Sequence, residues 1–197
     1  MIVVTGGGRS GKSIFAEDLA KKRGQKVLYI ATAVPFDQEM RERIQKHQQR
    51  RPADWETLEG YSNLADSIEK RASNFDCMLL DCITILITNL LFHFSRTDKV
   101  DDMDFEELER KVLAEIVEIL DACKKAETEM IFVTNEVGLG IVPENKLSRH
   151  FRDIAGRVNQ LLAKRADDVY FVVSGIPVKI KGEKQYETIY SNPSFFD

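Results

Sequence analysis

Cysteine is scarce. The three residues Cys77, Cys82 and Cys123 form no CxxC pair and keep no metal-ligand spacing with histidine, which argues against a disulfide framework or a zinc site and fits a reduced cytoplasm. Basic charge is not in excess either. With 28 Lys and Arg against 32 Asp and Glu, the formal net charge is -4, so broad nucleic-acid binding is not expected, because such surfaces are strongly basic. Long apolar runs are missing too. The longest, ITILITNLLF over 83–92, has polar interruptions and falls short of the roughly 20 residues a membrane helix needs. The N-terminus enters an apolar stretch with no basic leader or cleavage site. What remains is 197 residues, 43% hydrophobic and 30% charged. That is enough for one sizeable core and points to a single domain over residues 1–197.

Short apolar runs recur along the chain: MIVVTGG, KVLYIAT, CMLLD, MIFVTN and DVYFVVSG. Runs of this length that end in glycine or a polar residue predict buried parallel strands. Between them lie helical spacings, with Phe105, Leu108, Val112, Ile116 and Ile119 in one segment and Leu147, Phe151, Ile154, Val158 and Leu161 in another. IPVKIKG follows VVSG too closely for a crossover and predicts an antiparallel hairpin at one edge. The expected class is α/β, a three-layer fold whose mostly parallel sheet ends in that hairpin; the glycine–lysine stretch GGGRSGKS over 6–13 makes it one of the phosphate-loop NTPase type. The tail GEKQYETIYSNPSFFD predicts no element.

GGGRSGKS, comprising Gly6, Gly7, Gly8, Arg9, Ser10, Gly11, Lys12 and Ser13, matches G-x-x-x-x-G-K-[ST] between a strand and a helix starting near Lys12. Glycines let backbone N–H groups converge on phosphate oxygens, Lys12 is placed to reach the β- and γ-phosphates, and Ser13 can ligate Mg²⁺. A second metal carboxylate is expected at the end of a neighbouring strand, and Asp81 of CMLLD is the candidate. The guanine signature N-K-x-D of switch GTPases is absent, since NKLS over 145–148 fails at its last position. Asn135 and Glu136, in a glycine-rich stretch after a strand, are further polar candidates on the ligand side.

RERIQKHQQRRPADW over 41–55 holds one histidine. On a helix through 38–51, Met40, Ile44, His47 and Arg51 share a face. A histidine at such spacing is ordinarily a packed residue. Here the segment follows KVLYIAT, whose carboxyl end lies on the phosphate-loop side of a parallel sheet, so His47 is also a candidate phosphorus nucleophile, with Arg50 and Arg51 as phosphate holders. On the residues alone, a single-activity small-molecule kinase with a structural His47 and a non-catalytic GTP-sensing module both remain open.

In order, VTGGGRSGKS, VLYIATA, RIQKHQQRRPADW, CITILITNLL, VTNEVGLGIVPENKLSRHFRDIAGRVNQLLA and VVSGIPVKIK resemble the bifunctional adenosylcobinamide kinase / adenosylcobinamide-phosphate guanylyltransferase family of cobalamin biosynthesis, over almost the whole chain. The resemblance implies a homotrimer with two reactions, and the cysteine usage implies a cytoplasmic one. It phosphorylates adenosylcobinamide with ATP or GTP and Mg²⁺, then moves GMP from GTP onto the new phosphate through a guanylylated histidine. The family motif falls on Arg43, Ile44, His47, Arg51 and Pro52. The resemblance also implies GTP contacts from the phosphate loop, from Ala31, Thr32 and Ala33, from Gln48, Gln49, Arg50 and Arg51, and from Glu59 and Asp81. His93 and His150 are expected to be structural or surface residues.

Overall fold

The apolar runs become strands, and a seventh strand appears where no apolar run exists. The computed structural model describes residues 1–33, 38, 41, 42, 45, 48, 51–97 and 99–183. Its strands are β1 (Ile2–Gly6), β2 (Val27–Ala31), β3 (Glu56–Glu59), β4 (Cys77–Asp81), β5 (Glu129–Asn135), β6 (Asp168–Val173) and β7 (Ile176–Lys181). Its helices are α1 (Lys12–Arg23), α2 (Leu64–Arg71), α3 (Ile83–Phe94), α4 (Phe105–Ala126) and α5 (Lys146–Arg165). The sheet order is β3-β2-β4-β5-β1-β6-β7. All neighbours pair in parallel except β6 and β7, so this is the expected α/β fold with its antiparallel edge. β3 was not legible as an apolar run: it is an edge strand, and of ETLE only Leu58 is partly covered.

Both faces of the central strands are buried, which is why they read as continuous apolar runs rather than alternating ones. On one face, Ala16 and Ala20 of α1 pack with Ile2, Val4, Tyr29, Leu79, Ile131 and Val133. On the other, α2 to α5 cover Val3, Leu28, Ile30, Met78, Leu80 and Phe132. Removing a side chain such as Leu or Phe from water stabilises by about 1.5–3 kcal/mol, so these layers outweigh the weak preferences of five-residue strands. The Cys77, Cys82 and Cys123 thiols are free and buried, and burial pushes each up to about 12, so none is a thiolate at neutral pH.

Helix ends follow local chemistry. Asp104 accepts from the Glu107 N–H at 3.1 Å and Asn145 from the Ser148 N–H at 3.0 Å, capping α4 and α5. Along α4 all five predicted stripe residues are buried. Along α5 the predicted Ile154 and Val158 are buried, Leu147, Phe151 and Leu161 pack partly buried against the same core, and Ala155 and Leu162 join the buried stripe. The ITILITNLLF run forms most of α3. Among the described residues no helix is long and apolar enough to cross a membrane.

Candidate functional site

Gly6 ends β1 opposite Val172 of β6, and a Cβ there would come within 2.3 Å of the Val172 carbonyl oxygen. Only glycine fits that approach. Gly11, at φ 92, occupies the left-handed region just before α1. The hairpin turn braces the loop from outside, with the Gly175 N–H donating to the Ser10 carbonyl at 2.9 Å. At Gly7 and Gly8 a Cβ would meet nothing within 4 Å, so open space lies beside that backbone. α1 has no side-chain cap and no acidic residue in its first turn, which leaves its leading N–H groups and positive dipole end for an anion. Lys12 is buried to 8% exposure and its Nζ donates to the Gly7 carbonyl at 3.0 Å. The ammonium is therefore folded back over the loop. Ser13, half-buried, opens α1 beside it.

The other candidates line the carboxyl ends of the strands. Glu59, Ala31 and Asp81 stand side by side across β3, β2 and β4, and Gly6 pairs with Asn135 of β5. β4 is not next to β1, as a neighbouring-strand reading of Asp81 requires. β5 lies between them, so Asp81 sits two strand spacings, about 10 Å, from the loop strand. From Glu59 to Gly6 the row covers four spacings, about 19 Å.

Thr32, fully buried, joins β2 to β4 rather than opening to a ligand. Its hydroxyl donates to the Cys82 carbonyl at 2.8 Å and accepts from the Cys82 N–H at 3.0 Å, and its carbonyl accepts from Asn89 at 2.7 Å. Ala33 follows it, half-buried. Asn135 is anchored through its backbone, donating to Thr84 Oγ1 at 2.8 Å and accepting from Asn159 Nδ2 at 3.0 Å. Glu136 accepts from the Gly138 N–H at 2.8 Å.

Around the histidine segment, Gln38, Arg41, Glu42, Gln45 and Gln48 are helical and exposed, the solvent side of the predicted helix. His47, Gln49, Arg50, Met40 and Ile44 lie outside the described residues. Arg51 is past the helix end, with its N–H on the Gln48 carbonyl at 3.2 Å. Pro52 explains this, since a residue before proline avoids the helical region. Gln48 Nε2 donates to Glu59 Oε1 at 2.8 Å, so two predicted contacts meet.

The Arg51 guanidinium lies 3.7 Å above the Tyr29 ring centre, and Tyr29 Oη donates to Asp81 Oδ2 at 2.9 Å. Arg51 Nε is buried with no hydrogen-bond partner among the described residues. Burial, and then the Asp81 carboxylate, raise the Tyr29 phenol well above its usual range, so Tyr29 stays a neutral donor. Trp55 stands 6.4 Å from it, ring to ring. Sequence reasoning missed Tyr29, which reads as one more core residue in KVLYIAT. Its position two residues before Ala31, on the same strand face as the strand-end contacts, was the available signal. His93 is exposed and meets the Tyr61 ring edge-on at 6.0 Å, and His150 is stacked on Phe105 at 3.9 Å.

Comparison with known proteins bears on what this arrangement does. The family model described as cobinamide kinase / cobinamide phosphate guanyltransferase matches residues 2–180. The bifunctional adenosylcobalamin biosynthesis protein CobU of Escherichia coli is 49% identical over 92% of this chain and 99% of that protein. Its counterpart in Salmonella typhimurium is 51% identical over the same shares. A solved structure from Pyrococcus horikoshii, 10% identical, superposes with a TM-score of 0.53 over 93% of this chain and 87% of that one, a likeness of fold alone.

Proposed function

The chain belongs to the cobinamide kinase / cobinamide phosphate guanyltransferase family, and from that membership we propose how one row of strand ends serves both reactions. The protein is a bifunctional enzyme of adenosylcobalamin biosynthesis, a kinase and a guanylyltransferase using nucleotide triphosphates. In our reading the triphosphate lies on the loop Gly6–Ser13 and the nucleotide extends along the strand ends toward Gln48 and Glu59. Glu59 accepts from the guanine N1–H and N2–H groups. Ala31 and Ala33 border the path, and Thr32 holds its floor.

In the kinase reaction the γ-phosphoryl group of ATP or GTP moves to the side-chain hydroxyl of adenosylcobinamide. Lys12 and the α1 amides stabilise charge on the β- and γ-oxygens. Ser13 and Asp81 would hold Mg²⁺. Their hard oxygen donors fit that ion, which takes one or two protein oxygens and completes its shell with phosphate and water. When bound, Mg²⁺ neutralises phosphate charge.

In the second reaction His47 attacks the α-phosphorus of GTP. A phosphorus–nitrogen bond forms, the bond to the bridging oxygen breaks, and pyrophosphate leaves. A phosphate oxygen of adenosylcobinamide phosphate then attacks the same phosphorus, releasing the imidazole and giving adenosylcobinamide-GDP. This splits one hard transfer into two easier ones. Gln49, Arg50 and Arg51 hold the anionic phosphates in line.

The observation supporting this reading is the bracket around the histidine segment: Gln48 is bonded to Glu59, and Arg51 lies over Tyr29, which is bonded to Asp81. GTP labelled at the α-phosphorus tests it. Label should stay on the protein through an acid-labile, alkali-stable bond. His47→Ala should abolish both labelling and GMP transfer while phosphorylation of adenosylcobinamide largely persists. A labelled His47→Ala protein would return the histidine to a packing role.

The homotrimer and cytoplasmic location belong to the same reading. Phe92, Leu139, Ile141 and Val142 are large apolar residues left exposed, available for subunit contact. The apolar cavity of about 190 Å³ between α3, α4 and α5 is too small for a corrinoid, so a groove between subunits is the better dock.

A further inference from the structure

We propose that Tyr29 is a positioning residue, the spacer that keeps the Asp81 carboxylate and the Arg51 guanidinium apart and aimed at one nucleotide. This rests on the reading above that Asp81 serves the metal and Arg51 the phosphates. Opposite charges so close to one ring would ordinarily pair with each other. Here they do not: no ion pair joins Arg51 to Asp81, although each touches Tyr29. Arg51 rests on the ring face, the site of negative charge in its quadrupole. Asp81 receives the hydroxyl at the ring edge through Oδ2, and its Oδ1 accepts no hydrogen bond from the described residues.

Each group is thereby left partly unsatisfied. Asp81 keeps an oxygen for a cation and Arg51 keeps a buried Nε without a partner, which an anionic ligand satisfies. An ion pair between the two would remove both capacities at once.

A core-filling role does not account for the arrangement. Tyr29 is 1% exposed; the other buried members of its layer are Val, Ile, Leu, Ala and Cys, while Phe15, Trp55 and Tyr170 are only partly buried against it. A phenol there carries a polar atom that has to be bonded, and the bond goes to the one strand-end carboxylate on β4. Hydrogen bonds to a metal-ligating carboxylate fix its orientation, and their loss typically weakens metal binding by about 10–100-fold. Loss of a cation–π platform changes affinity less, by about threefold to tenfold.

The two halves of the role separate in two variants. Tyr29→Phe keeps the platform and the spacing but frees Asp81. Tyr29→Leu removes both. The readouts are binding constants without turnover: Mn²⁺ affinity by electron paramagnetic resonance in the presence of α,β-methylene-GTP, and affinity for that analogue without metal by calorimetry. Tyr29→Phe should weaken Mn²⁺ about tenfold and leave the metal-free constant within about twofold. Tyr29→Leu should weaken Mn²⁺ at least as much and the metal-free constant about threefold to tenfold. A Tyr29→Phe protein that melts lower but keeps both constants shows a structural tyrosine and overturns the proposal, whether or not the Leu variant folds.

Asp81→Asn separates this failure from failure of the metal reading. If Asp81→Asn weakens Mn²⁺ and Tyr29→Phe does not, Tyr29 alone is misassigned. If Asp81→Asn leaves Mn²⁺ binding unchanged, Asp81 is not a metal ligand and the spacer proposal falls with it.

Discussion

The phosphate-loop end of the row and its β2–β3 end are built in opposite ways. At the first, the proposed phosphate site is eight consecutive residues, Gly6 to Ser13, and the fold adds a brace from Gly175. At the second, Tyr29, Gln48, Arg51, Glu59 and Asp81 come from separate stretches of chain and meet through strand register and side-chain contacts. A local site survives as long as one strand–helix junction does. A distributed site depends on every element that carries a part, and can be tuned at any of them.

The sharpest way to break this comparison is Lys12→Ala. If both reactions share the loop, removing its ammonium should lower kinase and guanylyltransferase kcat/KM each by about 100-fold or more, the scale of losing one group that stabilises developing charge. Steady-state assays of the two half-reactions decide it. One activity surviving near the wild-type rate would mean that the ends serve different nucleotides.

Glu59→Gln sharpens the comparison at the far end. Its amide presents donors to the guanine donors, so kcat/KM for GTP should fall about tenfold or more, while ATP-driven phosphorylation stays within about twofold. An equal loss with both nucleotides would remove Glu59 from base recognition.

The smallest effect concerns the scaffold beneath the β2 end. Asp76 Oδ2 accepts from the Gln25 and Lys26 N–H groups, each at 3.0 Å, tying the start of β2 to that of β4. The Lys26 bond first, then the Gln25 bond, hold its carboxyl below the usual 3.8. A lowered folded value contributes stability that is present above the unfolded value and is lost as pH falls through the lowered one. Asp76→Ala should therefore lower the urea midpoint modestly near neutral pH, and the gap to wild type should narrow as pH drops below about 3.8. A gap unchanged at low pH would show that the ionised carboxylate is not what matters.

Legibility in the sequence follows the same division. Phe105, Leu108, Val112, Ile116 and Ile119 announced a helix face and all are buried, because a helix repeats its environment every few residues and writes it into the chain. The loop was equally plain, since its glycines and lysine act within one turn of backbone. Arg51 was misread as helical although Pro52 beside it carried the contrary signal. β3 left no apolar trace, because an edge strand with exposed side chains needs none.

By itself the sequence determined the strand runs, the long helices, the hairpin edge and the phosphate loop, all of which depend on residues bonded or stacked within a few positions. Only the tertiary structure decided that β5 separates Asp81 from the loop strand, that Glu59 reaches Gln48 from the sheet edge, and that Tyr29 carries both Arg51 and Asp81. Those relations come from which strands pair and in what register, a choice set by the burial of both sheet faces at once, and no local stretch of chain records it.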